Sequence, residues 1–212
     1  RRRDNHLGRV KALPKNKKDY SGIYYHVSFY DLQAANHLTM LPNSVDFLNR
    51  ELDEVLETGA NKYWLINCSN VLPHVYYLDA VRRKWLGEKI SDEEHSRTFT
   101  QTYYAGNEKV AGLYAKHADI MPVYGPNEDE HAGEQFYTEN ARIVAWHLIR
   151  GEQQNIKELN WCTKEIPLDK QMDCFADILI SVLGKMEEYV RKCEEVSGEL
   201  EEEQKKCFRS TL

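Results

Sequence analysis

Gly22-Ile23-Tyr24-Tyr25-His26-Val27-Ser28-Phe29 follows a Lys-rich loop containing Pro14, and its β-branched and aromatic residues predict a strand. Downstream, Asn43 or Ser44 is placed to cap a helix. Val45, Leu48, Leu52, Val55 and Leu56 recur at helical spacing, and Gly59 stands where a left-handed closing residue belongs. Lys62-Tyr63-Trp64-Leu65-Ile66-Asn67 is then a short apolar run consistent with a buried strand. Strand, helix and strand make a βαβ unit, which implies parallel pairing and a right-handed crossover. A further amphipathic helix is predicted over Tyr76 to Leu86, closed by Gly87.

Beyond residue 86 the pattern is helical almost throughout. Ser91-Asp92-Glu93-Glu94 reads as a capping box opening a helix over 92–105. Asn107 opens another, with Val110, Leu113, Tyr114, His117 and Met121 on one stripe. After a loop from Pro122 to Gly133, helices are predicted from Glu134 to Arg150, with Phe136, Ala141, Val144, Trp146 and Leu148 as its apolar residues, and from Leu168 to Val196. Phe175, Ile178, Leu179, Val182 and Met186 are the core candidates of the second, and Gly198 is expected to break it before a short Glu-rich helix. The predicted class is α/β followed by all-α. One βαβ unit cannot bury both faces of its strands, so the first part is expected to belong to a larger parallel sheet or to dock on the helices.

Composition narrows the function. The 212 residues hold 28 Lys and Arg against 34 Asp and Glu, a net charge of −6. No apolar run approaches a membrane span, and no apolar segment follows the basic start as a signal peptide would require. Residues 1–18 carry eight basic side chains, but no aromatic residue is interleaved and the chain is acidic overall, so no nucleic-acid partner and no membrane partner is expected. The Glu-rich stretch from Glu187 to Lys206 reads as a solvated helix face. Five widely spread Cys form no CxxC pair and read as reduced thiols, the alternative being incidental Cys in an exported enzyme. No metal site and no cofactor is expected: His117 and His131 lack an HExxH pattern, and no GxGxxG, P-loop or GxSxG occurs.

Ligands of parallel α/β sheets gather at the C-terminal ends of the strands. That rule selects Tyr24, Tyr25, His26 and Ser28 at one end and Asn67, Cys68, Ser69 and Asn70 at the other. These side chains are rich in hydrogen-bonding groups and poor in charge, which suits a neutral polyhydroxylated ligand such as a sugar. The alternative on residues alone is that Tyr24 and Tyr25 lie on opposite faces, one packed and one exposed, with His26 a satisfied core histidine.

Three blocks carry a resemblance. Asp4-Asn5-His6-Leu7-Gly8, followed by Val10 and Leu13-Pro14, resembles the "DNxGxxRxLP" segment of glycoside hydrolase family 115, the α-glucuronidases acting on glucuronoxylan side chains. The Gly22 to Ser28 run resembles the "GIYYHxxY" strand of that family. Thr58-Gly59-Ala60-Asn61-Lys62-Tyr63-Trp64-Leu65-Ile66-Asn67 resembles its "GAxxxWIVNVGDLKPxE" strand and loop. The resemblance implies that residues 1–86 are the last strands and helices of a (β/α)8 (TIM) barrel and that residues 87–212 are the helical bundle domain after it. It implies Asp4 as a catalytic residue at a strand end, with Asn5, Tyr24, His26, Asn67 and Asn70 lining the sugar pocket. The implied partner is a plant polysaccharide or oligosaccharide.

The departures shape the alternatives. Where the family has Gly-Asp and Lys-Pro, this chain has Ser69-Asn70 and Leu72-Pro73, so a charged loop has become neutral. That favours a neutral-sugar glycosidase, or a non-hydrolytic carbohydrate-binding relative, as alternatives to uronic-acid cleavage. A free-standing helical interaction module is a third reading. Glycoside hydrolysis uses two carboxyl groups, and a barrel takes about 200 residues or more. The expectation is therefore a C-terminal portion whose acid donor lies in a missing N-terminal part of the same polypeptide, inactive alone.

Overall fold

The computed structural model describes residues 20–28 and 34–212. Strands β1 (Ile23–His26) and β2 (Trp64–Asn67) pair in parallel, with Ile23 opposite Trp64 and His26 opposite Asn67. Helix α1 (Val45–Thr58) connects them, as the spacing of its apolar residues predicts. Ser44 is its cap: the Phe47 N–H donates to the Ser44 hydroxyl at 3.1 Å. Gly59 closes it at φ 78°, donating to the Leu56 carbonyl.

The two faces of the sheet differ. Ile23, Tyr25, Trp64 and Ile66 lie against the buried residues of α1 and of α2 (Val71–Trp85), and Tyr25 is 7% exposed. Tyr24 and Leu65, paired across the sheet, keep 59% and 60% of their surface, so that face is open. Among the described residues the sheet has two strands, and no barrel is formed by them.

Helix α2 corrects the predicted start at Tyr76. It begins at Val71, and Leu72 and Pro73 form its first turn. Proline costs little there, because first-turn N–H groups have no intrahelical acceptor to lose.

The helical remainder follows the sequence closely. Ser91 caps α3 (Asp92–Tyr103) by accepting from the Glu94 N–H at 3.2 Å. Asn107 caps α4 (Glu108–Lys116), accepting from Lys109 and Val110. The stripe predicted through Met121 tightens into a 3₁₀ turn at His117–Ile120. Then come α5 (Gln135–Ile149), a 3₁₀ turn at Lys157–Leu159, α6 (Asn160–Thr163), α7 (Leu168–Glu199) and α8 (Glu202–Phe208). Gly198 does not break α7 as expected. It sits in open space on the last turn, where the helical penalty of glycine is only about 1 kcal/mol. Burial of Val196, Ser197 and Leu200 on either side holds that turn.

One apolar core joins the sheet to the helices. Tyr25 and Val27, with Leu48 and Leu52 of α1, meet Tyr76 and Tyr77 of α2, Phe99 of α3, Val110 and Tyr114 of α4, and Tyr189 and Phe208 near the end of the chain. Its centre is aromatic. The Tyr76 ring stacks on Tyr114 with centroids 4.8 Å apart and meets Phe99 edge-on at 5.2 Å. A second cluster gathers Ala34, Ala132, Phe136, Cys162 and Phe175. The predicted apolar face of α5 is only partly used. Phe136 is buried, but Ala141 and Leu148 are exposed and Trp146 is 58% exposed, because the second cluster grips the start of the helix and not its end.

Gly22 fixes the entry to the sheet. A Cβ there would stand 2.0 Å from the Tyr63 carbonyl oxygen, the same oxygen that accepts the Ile23 N–H. Gly22→Ala is therefore expected to destabilise the chain by about 2–3 kcal/mol, read by chemical denaturation. A loss under about 0.5 kcal/mol would show that the strand entry yields easily.

Candidate functional site

The parallel register puts three predicted residues on the open face of the sheet. Tyr24 and His26 are two positions apart on β1, and Asn67 lies opposite His26 on β2. The Asn67 amide donates to the Tyr24 hydroxyl at 2.7 Å and comes within 3.4 Å of His26 Nδ1. The Tyr24 and His26 rings meet edge-on with centroids 4.5 Å apart. Burial holds the His26 imidazole below its ordinary value, and phenol, imidazole and amide stand together on this face. Such groups donate to and accept from hydroxyls, and the exposed Tyr24 ring offers a stacking face.

Just past the strands, serines staple the two strand ends together. The Ser28 hydroxyl donates to Ser69 Oγ at 2.7 Å and accepts from the Ser69 N–H at 2.7 Å. Asn36, fully buried, donates to the Val27 carbonyl at 3.2 Å. Asn70 sits at the cap position of α2 but makes no side-chain cap bond. Its amide instead donates to the His37 carbonyl at 2.9 Å. His37 Nδ1 lies 3.4 Å from the Ser69 hydroxyl. Asp4 and Asn5 lie outside the described residues.

The residue that organises this rim comes from far along the chain. Glu134, at the entry to α5, accepts from the backbone N–H of His37 at 2.6 Å and of Leu38 at 3.0 Å through one oxygen. It accepts from the Thr39 hydroxyl at 2.6 Å through the other. Burial opposes ionisation of this carboxyl, but the Thr39, His37 and Leu38 donors overcome it and hold Glu134 below the usual carboxylate range. The neighbouring backbone is docked as well: Gly133 donates to the Ala34 carbonyl and Gln135 to that of Ala35. A Cβ on Gly133 would stand 2.5 Å from Asn36 Cβ and 2.6 Å from the Ala35 oxygen. Sequence reasoning places Glu134 only at the start of a helix.

Beneath the rim lie two buried histidines. His74 has no exposed surface and lies against the His37 backbone, with the Glu134 carboxylate in its surroundings. Burial holds it below its ordinary value. His117 is pushed down to about 4, first by burial and further by a charge on His74, against the Leu41 backbone. All five cysteines are free thiols. Among the described residues no group of three or more His, Cys, Asp and Glu side chains forms a metal-ligand set. No helix among them is long and apolar enough to cross a membrane.

The His117 value fixes a pH dependence. Its folded pKa lies below the unfolded 6.5, so the unfolded chain binds more protons between the two. The contribution is complete above pH 6.5 and is lost as pH falls toward about 4, on the order of 3 kcal/mol in all. Asp92, raised to about 6 by burial, works in the opposite sense as pH falls through that value. His117→Gln is expected to flatten the fall of melting temperature between pH 7 and 4.5. A variant whose slope equals that of the wild type would remove His117 as the source.

The comparisons with known proteins add one finding. Neither the comparison with curated proteins nor that with solved structures returns a match. The family model of glycosyl hydrolase family 115 matches residues 3–126, which includes both strands, α1 to α4 and the rim residues up to Asn70. The match takes in more than half of the chain, and the chain belongs to glycosyl hydrolase family 115.

Proposed function

We propose that this chain supplies part of the sugar pocket of an α-glucuronidase that removes (4-O-methyl)glucuronic acid side chains from xylan. The observation that carries the reading is the group of Tyr24, His26 and Asn67 on the face of the sheet turned away from α1 and α2. In a (β/α)8 barrel the helices cover the outside and the opposite strand face looks into the barrel. The two strands and their helices then form one arc of such a barrel, within residues 1–86, with residues 87–212 as the bundle that follows. Further strands come from more of the same polypeptide, pair with the sheet and cover Leu65, leaving Tyr24 to the pocket.

In this reading Tyr24, His26, Asn67 and Asn70 read sugar hydroxyls, with Asn5 beside them, and Asp4 contributes one carboxyl group to catalysis. Cleavage takes a second carboxyl group as proton donor or nucleophile. Glu134 is not that group, because its two oxygens already serve three donors at His37, Leu38 and Thr39. The partner carboxyl comes from the additional strands. No cofactor is needed for this chemistry.

One observation favours a second reading, a glycosidase of neutral-sugar specificity or a non-hydrolytic binder. Ser69 and Asn70 are tied into the rim, and Leu72 and Pro73 are wound into the first turn of α2. No charge is offered there to a sugar carboxylate.

The test is product release by the enzyme containing this chain, with glucuronoxylan as substrate. Release of 4-O-methylglucuronic acid is expected, and Tyr24→Phe and Asn67→Ala should each lower kcat/KM about tenfold, the scale of one lost hydrogen bond. Release of neutral sugars alone would favour altered specificity. Binding of decorated xylo-oligosaccharides without any cleavage would favour the binder.

A further inference from the structure

The rim is held by a relay that crosses the chain. It starts at Glu134, whose carboxylate gathers two backbone N–H groups and one hydroxyl from residues 37–39. A carboxylate is well suited to this task, since charge-assisted bonds are shorter and stronger than neutral ones. The gathered segment then turns both of its own polar ends toward the end of β2. The His37 carbonyl accepts from Asn70 Nδ2, and His37 Nδ1 meets the Ser69 hydroxyl. Ser69 in turn is held to Ser28 by two bonds of 2.7 Å, just beyond the paired residues His26 and Asn67.

We propose that Glu134 is a positioning residue: it fixes Ser69 and Asn70 at the end of β2 through His37, so that the start of α5 sets the shape of the saccharide rim. The proposal rests on the reading of that rim as a sugar site. Glu134 itself touches no substrate in this arrangement. Its charge is spent on the 37–39 segment, and its effect reaches the site through hydrogen bonds.

The relay also explains the placement of Asn70. A cap-position Asn ordinarily turns its side chain back to the N–H groups of its own helix. Here the side chain turns outward to His37, and the α2 cap is given up for it.

The experiment uses amide-resolved NMR on the full chain without saccharide, and titration of the enzyme that contains this chain with a xylo-oligosaccharide carrying a 4-O-methylglucuronic acid branch. Without saccharide, Glu134→Ala should shift the Asn70 side-chain amide and the Ser69 backbone amide, and should abolish exchange protection at His37 and Leu38. Glu134→Gln keeps one oxygen for both N–H groups and should restore all of these signals. If Glu134→Ala fails to fold, Thr39→Val removes a single bond of the relay and should shift the same resonances by less. Unshifted Asn70 and Ser69 signals in a folded variant would overturn the relay.

With saccharide, affinity should fall about tenfold in Glu134→Ala and stay within about twofold of wild type in Glu134→Gln. Shifted Asn70 signals with unchanged affinity would overturn the positioning role. A wild-type enzyme containing this chain that binds no saccharide would overturn the sugar reading of the rim, while the saccharide-free spectra would still decide whether Glu134 holds Ser69 and Asn70.

Discussion

A parallel strand pair cannot be closed by a short hairpin, and here the connecting helix must cross over and cover one of its faces. The packing of Tyr25, Ile23, Trp64 and Ile66 against α1 and α2 is that cover. Everything else is arranged around it. With one face committed to helices, the alternation of side chains along each strand sends Tyr24, His26, Leu65 and Asn67 to the other. A shift of register by one residue would exchange the two sets, burying an imidazole and an amide while exposing Trp64 and Tyr25. The aromatic core that runs from Tyr25 through Tyr76 and Tyr114 to Phe208 makes such a slip costly, so the chemistry of the open face is set by the packing of the hidden one.

Much of this was legible in the residues. The cap at Ser44, one of two residues read for it, the closing Gly59, the Ser91 half of the capping box and the apolar spacing of α1 are short-range signals, and all are present in the structure. The errors share one cause. The start of α2 was placed at Tyr76, although the helix begins at Val71 and takes Pro73 into its first turn, and Gly198 was read as a boundary, although the cost of such residues depends on position within the helix. Pro73 stands where no N–H is missed, and Gly198 stands where neighbouring burial outweighs its freedom. The exposed end of α5 is another matter: periodicity in Trp146 and Leu148 says that a face is apolar, not what covers it.

The grouping of side chains at the candidate site was legible only in its local part. Tyr24, His26 and Asn67 follow from two strand ends and the rule that ligands gather there. The anchoring of Asn70 does not, because it depends on His37, and His37 depends on Glu134, which is 97 positions away. No spacing in a single sequence announces such a contact. It follows from tertiary packing of the second cluster, where Phe136 is buried with Ala34 and so delivers Glu134 to the loop before α1.

At Gly133 that junction has room for a hydrogen atom and nothing more: main chain rests on main chain at Ala35 and Asn36. The distance between the helix entry and the loop is thus set by bare backbone radii, not by a side chain that could be traded for one slightly larger or smaller. A single added methyl would act as a wedge, prising the two segments apart at the hinge of the clasp. Drift in the surrounding core can be absorbed by repacking, but this seam has no slack through which to absorb it.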